Sequence, residues 1–266
     1  FEYCGSLENI EVPTTVNAIE RYAFFGTKMY NANMLAAEDT EYIYVDNWLV
    51  DLGDSFAENI ESVNVDSLKS GTVGIAANAF ISSKKLRSVV LPSSVKYIGK
   101  YAFADCANLD LFNSQSSSLI YIGKYSFYKD VLLKRLYLNE GLKVIDDYAF
   151  YDCTNVSNGN NSIIPSSVIR IGRMAFKKTK LWNDVKNDVV YAGDWVVGYN
   201  GTIENITLQI KSADGLNTRS VKGIADYAFE SADTLTQVNG LSSVKIIGKA
   251  AFRECTSLGT VALGDN

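Results

Sequence analysis

Thirty acidic residues, 25 basic ones, four cysteines and no histidine make up the reactive inventory of this 266-residue chain. Without histidine there is no Ser-His-Asp or Cys-His relay, and the usual histidine-based zinc sites are closed. Cys4, Cys106, Cys153 and Cys255 are nucleophiles by type, but none has a base close to it in sequence. The carboxylate pairs Glu38-Asp39 and Asp146-Asp147 read as exposed coil edges rather than as an acid with its base. No P-loop occurs, no G-x-G-x-x-G follows a strand, and no D-x-D-x-D-G calcium loop is present. The inventory therefore predicts a protein that is not an enzyme, with no cofactor and no bound metal.

Binding chemistry is constrained in the same way. A net charge of −5 and a pI near 4.9 oppose non-specific nucleic-acid binding, which basic surface drives. The densest basic cluster, Lys177, Lys178 and Lys180, reads as a solvated turn. No apolar run is long enough to insert in a membrane, and no signal-peptide pattern occurs. Asn200-Gly201-Thr202 and Asn205-Ile206-Thr207 match the N-glycosylation pattern, which bears only on a eukaryotic source.

The elements that must position any site are repeats. Phenylalanine recurs at positions 1, 24, 80, 103, 127, 150, 176, 229 and 252, mostly 23 or 24 residues apart. Five residues before each Phe from Phe24 onward stands isoleucine, at 19, 75, 98, 122, 145, 171, 224 and 247. Immediately before those same phenylalanines stands Ala, or Ser126 once, which predicts a close approach of neighbouring coils. A fixed period of 20 to 30 residues marks units that bury their apolar faces only by stacking. The four cysteines share one column, three residues after a repeat Phe, and no two lie in adjacent coils. They are predicted to be buried free thiols, since the nearest pair should stand ~10 Å apart, beyond the ~7 Å limit for a bridge.

Residues 86–106, LRSVVLPSSVKYIGKYAFADC, give the clearest coil. Leu86 to Leu91 and Val95 to Ile98 alternate like strands, Pro92 and Gly99 punctuate them, and a helical or 3₁₀ turn closes the coil over residues 100–106. The pattern L-x-x-V-x-L-P-x-S-V-x-x-I-G-x-x-A-F-x-x-C resembles the repeat of BspA-like leucine-rich-repeat proteins over nearly the whole chain. The resemblance implies a right-handed leucine-rich-repeat solenoid, an α/β-class but β-rich fold, with a parallel sheet on its concave face. It also implies a cell-surface or secreted, mostly bacterial protein whose relatives bind host proteins in adhesion or aggregation.

Two intervals break the period, and they resemble each other. Tyr44-Val-Asp-Asn-Trp48-Leu-Val matches Tyr191-Ala-Gly-Asp-Trp195-Val-Val, and Glu-Asn-Ile follows each, so the tryptophans lie 147 residues apart. Residues 28–75 and 180–224 are read as irregular, hairpin-like modules, with Asn200-Gly201 as a turn signal. Trp48 and Trp195 have two readings: plugs of a widened core, or exposed aromatic anchors for a partner. The expectation is one continuous solenoid over residues 1–266, a fragment of a longer protein, with about eleven coils in a rod on the order of 50 Å long.

Alternation within the opening strands assigns the outward side chains. Asn64, Ser88, Val90, Leu111, Asn113, Arg135, Tyr137, Gln237 and Asn239 are predicted to face out, together with Thr207 and Gln209 in the second module. Tyr and Arg favour interfaces, so Arg135 and Tyr137 mark the expected partner-binding patch. The leading expectation is a monomeric, non-enzymatic recognition module for an extracellular protein or glycan. A structural stalk, or a substrate-recognition segment of a larger enzyme, are the alternatives.

Overall fold

The computed structural model of the chain describes residues 1–36, 42–158, 164–211 and 218–262. Strands ending on the repeat isoleucine pair in parallel with their equivalents in the next coil. Gly74–Ile75, Tyr97–Ile98, Tyr121–Ile122, Val144–Ile145 and Arg170–Ile171 run side by side, isoleucine opposite isoleucine. The opening strands form a second lane of Ser62–Val63, Ser88–Val90, Leu111–Asn113 and Arg135–Tyr137. In each three-residue member the central side chain is buried and its neighbours are turned outward, as period-two alternation demands.

The turn around the repeat Phe departs from the expected helical or 3₁₀ geometry. Tyr101 and Asp105 have φ of 54° and 58°, and equivalent residues repeat this in the neighbouring coils. A left-handed residue on each side of the Phe stops helix propagation. It also aims backbone N–H groups along the stack. Tyr101 N–H donates to Lys124 O (3.0 Å), Phe103 N–H to Ser126 O (2.8 Å) and Asp105 N–H to Tyr128 O (2.8 Å). The coil is thus tied to its neighbour through the turn as well as through the strands, and few backbone groups are left orphaned.

Such close approach explains the small-residue columns. A Cβ at Gly123 would lie 2.7 Å from the carbonyl carbon of Gly99, so only glycine fits without displacing the preceding coil. Inside the turns the phenylalanines stack. Ring centroids are 4.9 Å apart for Phe80–Phe103, 5.3 Å for Phe103–Phe127, 5.0 Å for Phe127–Phe150 and 5.3 Å for Phe150–Phe176. Burial of each ring stabilises by about 1.5–3 kcal/mol, and stacking adds about 0.5–1.5 kcal/mol.

Each irregular module contains an antiparallel hairpin, as expected: Tyr42–Val45 with Trp48–Leu52 in the first, beside the short helices Lys28–Ala36 and Asp54–Asn59, and Asp188–Ala192 with Trp195–Asn200 in the second, after the helical turn Lys180–Asn183. Their turns are Asp46-Asn47 and Gly193-Asp194. Asn200-Gly201 instead ends the second hairpin, because its register closes earlier in the chain. In each module the second strand enters the isoleucine lane, Leu49 opposite Ile75 and Val196 opposite Ile224. Beyond it, the coil before the insertion bonds directly to the coil after it: Ala77 N–H to Ile19 O and Asp226 N–H to Ile171 O, both 2.9 Å. The hairpin is therefore a one-sided wedge and not a pair of full coils. The stack has about eight turns, not eleven.

Among the described residues the opening lane comprises a four-stranded sheet whose last member is Arg135–Tyr137 and a three-stranded sheet of Asn205–Thr207, Gln237–Asn239 and Thr260–Val261.

All four cysteines are free, but only Cys106 and Cys153 are buried. Cys4 is exposed and Cys255 half-buried, since each lies in an outermost coil of the stack. Where a coil precedes it, the thiol donates to that coil's Phe carbonyl: Cys106 to Phe80 O (3.1 Å), Cys153 to Phe127 O (2.8 Å) and Cys255 to Phe229 O (3.0 Å). Asp130 occupies the same column between Cys106 and Cys153 and is fully buried. Its Oδ1 accepts the Cys106 N–H at 2.8 Å, while Oδ2 has no partner among the described residues. Burial pushes the Asp130 carboxyl well above the usual carboxylate range.

Two outcomes test this packing. Ile122→Ala should cost about 2–5 kcal/mol in denaturant melts by opening a cavity between coils. A loss below about 0.5 kcal/mol would show that the isoleucine column is not core. Because Asp130 keeps its proton in the fold to a higher pH than the ~3.9 of an unfolded chain, its contribution is best below that pH and declines as pH rises towards the folded value. Asp130→Asn should therefore gain on the wild type by on the order of 1 kcal/mol per pH unit above ~4. A difference that stays constant from pH 4 to 8 would refute the buried proton.

Candidate functional site

The candidate surface is the outer face of the opening lane. Ser62, Ser88, Leu111 and Arg135 stand opposite one another in one column, and Val90, Asn113 and Tyr137 in the next. Asn64 follows the first strand and is exposed. Arg135 and Tyr137 are the exposed members at the far end, Tyr137 at 44%, whereas Ser88, Val90, Leu111 and Asn113 are half-buried. The expected patch is thus one surface as far as Tyr137.

Its side chains are partly committed. Arg135 Nε donates to Asp110 Oδ2 at 2.9 Å, its NH2 group bonds the same oxygen, and Lys134 approaches Asp110 Oδ1 at 3.5 Å. Asp110 therefore holds the guanidinium in place with its charge partly neutralised. This restraint lowers the ordering cost of any contact made by Arg135. Asn113 Oδ1 accepts the Gln115 N–H at 2.9 Å and so caps the following bend.

Gln237 and Asn239 belong to the other sheet, beyond the second wedge, and bond each other at 3.1 Å. Their strand partners in the second module are Asn205 and Thr207. Gln209 is exposed between the buried Leu208 and Ile210, two residues beyond the strand partner Thr207, and its N–H donates to the Tyr191 hydroxyl at 3.2 Å. Among the described residues, Ser88, Val90, Leu111, Asn113, Arg135 and Tyr137 lie on the four-stranded sheet, Gln237 and Asn239 on the three-stranded one, and Asn64 and Gln209 just past a strand of each.

Trp48 and Trp195 lie in neither. They are 2% and 1% exposed, so they are plugs and not surface anchors. Each indole lies over a glycine of the next coil, Gly74 or Gly223, and Trp48 also stacks on Tyr97 at 5.8 Å. The duplicated sequence is a duplicated packing device. Asn33 Nδ2 bonds Tyr44 O at 2.8 Å and Asn158 Nδ2 bonds Tyr191 O at 3.1 Å, so a side-chain amide covers the outer edge of each hairpin.

The Asp146-Asp147 carboxylates are committed to neighbouring side chains. Asp146 Oδ1 binds Arg170 at 2.9 Å and its Oδ2 accepts the Tyr121 hydroxyl at 2.6 Å, while Asp147 binds Arg170 at 3.4 Å and Lys124 at 3.7 Å. Arg170 also meets Asp226 at 2.9 Å, which joins the coils on either side of the second wedge. Glu38-Asp39 lies outside the described residues. Among the described residues no cluster of three or more Cys, Asp or Glu side chains could hold a metal ion, and no helix is long and apolar enough to cross a membrane.

A second surface escaped the reading of the strands. Tyr22, Tyr101, Tyr125, Tyr148 and Tyr227 all stand two residues before a repeat Phe. That recurrence is legible in the sequence once the turn, and not the strand, is taken as the presenting element.

A family model for the BspA type leucine rich repeat region matches six copies over residues 1–45, 73–188 and 222–266. No curated protein matches the sequence. Among solved structures the chain is similar to a leucine rich cell surface protein from Faecalibacterium prausnitzii, 23% identical, covering 83% of this chain and 65% of that one, with a TM-score of 0.35. It is also similar to the pneumococcal vaccine antigen PcpA, at 20% identity, 84% and 56% coverage and a TM-score of 0.43. A leucine rich repeat protein of T. pallidum is 21% identical over 84% of this chain and 89% of that one, with a TM-score of 0.37.

The tryptophan plugs make a specific prediction. A Cβ at Gly223 would stand 2.6 Å from Cζ3 of Trp195, so Gly223→Ala should destabilise the protein by about 1–3 kcal/mol through overpacking. An unchanged denaturation midpoint would show that the indole is free to move aside.

Proposed function

Since the matched repeats span well over half its residues, the chain belongs to the BspA-type leucine-rich-repeat family, and we propose that it is a non-enzymatic recognition module for an extracellular protein. The observation that carries this reading is the face over residues 62–137. It is a rigid parallel sheet whose outward columns end in an exposed Arg135 and Tyr137. A guanidinium held by Asp110 beside a half-exposed phenol offers a preformed polar and aromatic contact, the type that dominates protein interfaces. The partly buried Leu111 and Val90 supply apolar area beside it. Adhesion through this face, from a surface or secreted location, is the biological role that goes with the proposal. The chain spans 65% of the Faecalibacterium protein and 56% of PcpA, so the activity of the whole protein is part of the same proposal.

Immobilised extracellular-matrix proteins, offered one at a time, test the assignment. Saturable binding to at least one is expected. The Arg135→Ala, Tyr137→Ala double variant should weaken it about tenfold or more, with an unchanged melting curve. Equal binding by the variant removes the patch, and no binding to any matrix protein favours the spacer role.

A further inference from the structure

We propose that the cleft between the turns over residues 174–178 and 226–230, where the second wedge parts two coils, binds an extended peptide of a partner protein through its main chain. This goes beyond the reading above and does not depend on it. Regular neighbouring coils are joined at the turn by three backbone bonds: Tyr125, Phe127 and Lys129 N–H donate to Asp147, Ala149 and Tyr151 O at 3.0, 2.8 and 2.9 Å. Tyr227, Phe229 and Ser231 N–H reach Lys249, Ala251 and Arg253 O in the same way. The equivalent donors before the second wedge belong to Met174, Phe176 and Lys178, and the equivalent acceptors after it to Asp226, Ala228 and Glu230. None of these three bonds forms.

The hairpin is the cause. The two coils still meet where Asp226 N–H donates to Ile171 O at 2.9 Å, but beyond that point the wedge spreads the turns. Met174 and Lys178 keep the left-handed φ of the regular turns, 53° and 64°, so the donors still aim along the stack. Phe176 is fully buried and Ala228 is 4% exposed, yet neither the Phe176 N–H nor the Ala228 carbonyl has a partner among the described residues. Buried backbone groups are nearly always paired, so a row of donors facing a row of acceptors across a gap is complementary to a peptide chain.

The first wedge opens the same ladder, since Tyr22, Phe24 and Gly26 N–H and the carbonyls of Ala77, Ala79 and Ile81 make no bond among the described residues. There the protein fills the gap itself. Phe25 packs on Tyr30 at 5.6 Å, the Tyr30 hydroxyl donates to Asp51 at 2.6 Å, and about 90 Å³ remains. At the second wedge about 250 Å³ is open, lined by Met174, Lys177, Trp182, Tyr199, Tyr227 and Glu230 among others. Only the Tyr199 hydroxyl enters the ladder, donating to Glu230 O at 3.2 Å, while Arg173 bonds the Glu230 carboxylate across the gap.

An extended chain laid between the rows turns carbonyls to the Phe176 side and N–H groups to the Ala228 side, the mode by which a strand joins a sheet edge. Main-chain bonding gives the affinity, and one side chain gives the selectivity. Met174, Trp182 and Tyr199 offer that side chain an adaptable, aromatic wall, and the opposite charges of Lys177 and Glu230 favour a neutral one. The geometry therefore selects a peptide with an aromatic or long aliphatic residue at its centre.

Blocked pentapeptides Ala-Ala-X-Ala-Ala, with Phe, Tyr, Trp, Leu or Met at X, provide the test by NMR titration. At least one should bind saturably, shift the Phe176 and Lys178 amides most, and slow hydrogen exchange at Phe176. The same probe N-methylated at X and at the next alanine keeps its side chain but loses two N–H donors, and should bind about tenfold more weakly. Lys177→Trp, which places a ring over the cleft, should weaken binding by a similar factor at an unchanged melting temperature; if that variant melts early, the wild-type shifts decide. The Arg135→Ala, Tyr137→Ala variant should bind the probe like the wild type, which separates this cleft from the strip over residues 62–137. Failure of all five probes, equal binding of the N-methylated one, or shifts confined to another face would each overturn the proposal.

Discussion

Everything in this molecule depends on each coil lying within backbone hydrogen-bonding distance of the next along its strands and through its turn. The strands meet this condition in any parallel sheet, but the turn meets it only by placing left-handed residues such as Tyr101 and Asp105 beside the Phe. Those residues cost conformational strain, and the inter-coil bonds and ring burial offset it. Once the approach is that close, Gly123 has no room to be larger, and Phe103 stacks between Phe80 and Phe127.

The same constraint explains how the irregular modules are tolerated. A hairpin can enter the stack only where its second strand imitates a coil, as Leu49 and Val196 do opposite Ile75 and Ile224. Its thickness must then be filled, and Trp48 and Trp195 fill it against glycines that leave space for the indole. Polar groups displaced by the wedge are gathered by Arg170, which spans Asp146 and Asp226 across the interruption. The outcome is a stack with two defects of one design.

Binding surfaces follow from which atoms the stacking leaves over. On the opening lane every second side chain is left over, so Arg135 and Tyr137 project from a rigid sheet. On the turn the leftover groups are tyrosine hydroxyls and interleaved lysine and aspartate side chains, because the rings satisfy one another. Polar atoms inside the stack, such as the Asp130 carboxyl among the cysteines, are instead held away from solvent, where their chemistry is confined to the stability of the fold.

The period, the buried columns and the alternation of the regular strands are all legible in the residues alone. Each of those is a demand made at one position by a neighbour of the same kind one coil away, and repetition displays such demands directly. Ile122, Ala102 and Phe103 could be placed without coordinates, and so could Arg135 and Tyr137. What happens where repetition fails is settled by the folded contacts. Whether a hairpin adds a coil or wedges one open, and whether Trp195 points in or out, depend on contacts between segments that differ in kind. Local pattern holds no information on those contacts. The tyrosine column two residues before the repeat Phe lies between the two cases: its residues recur in register, but its character as a surface appeared only when the left-handed turns showed which way the rings stack.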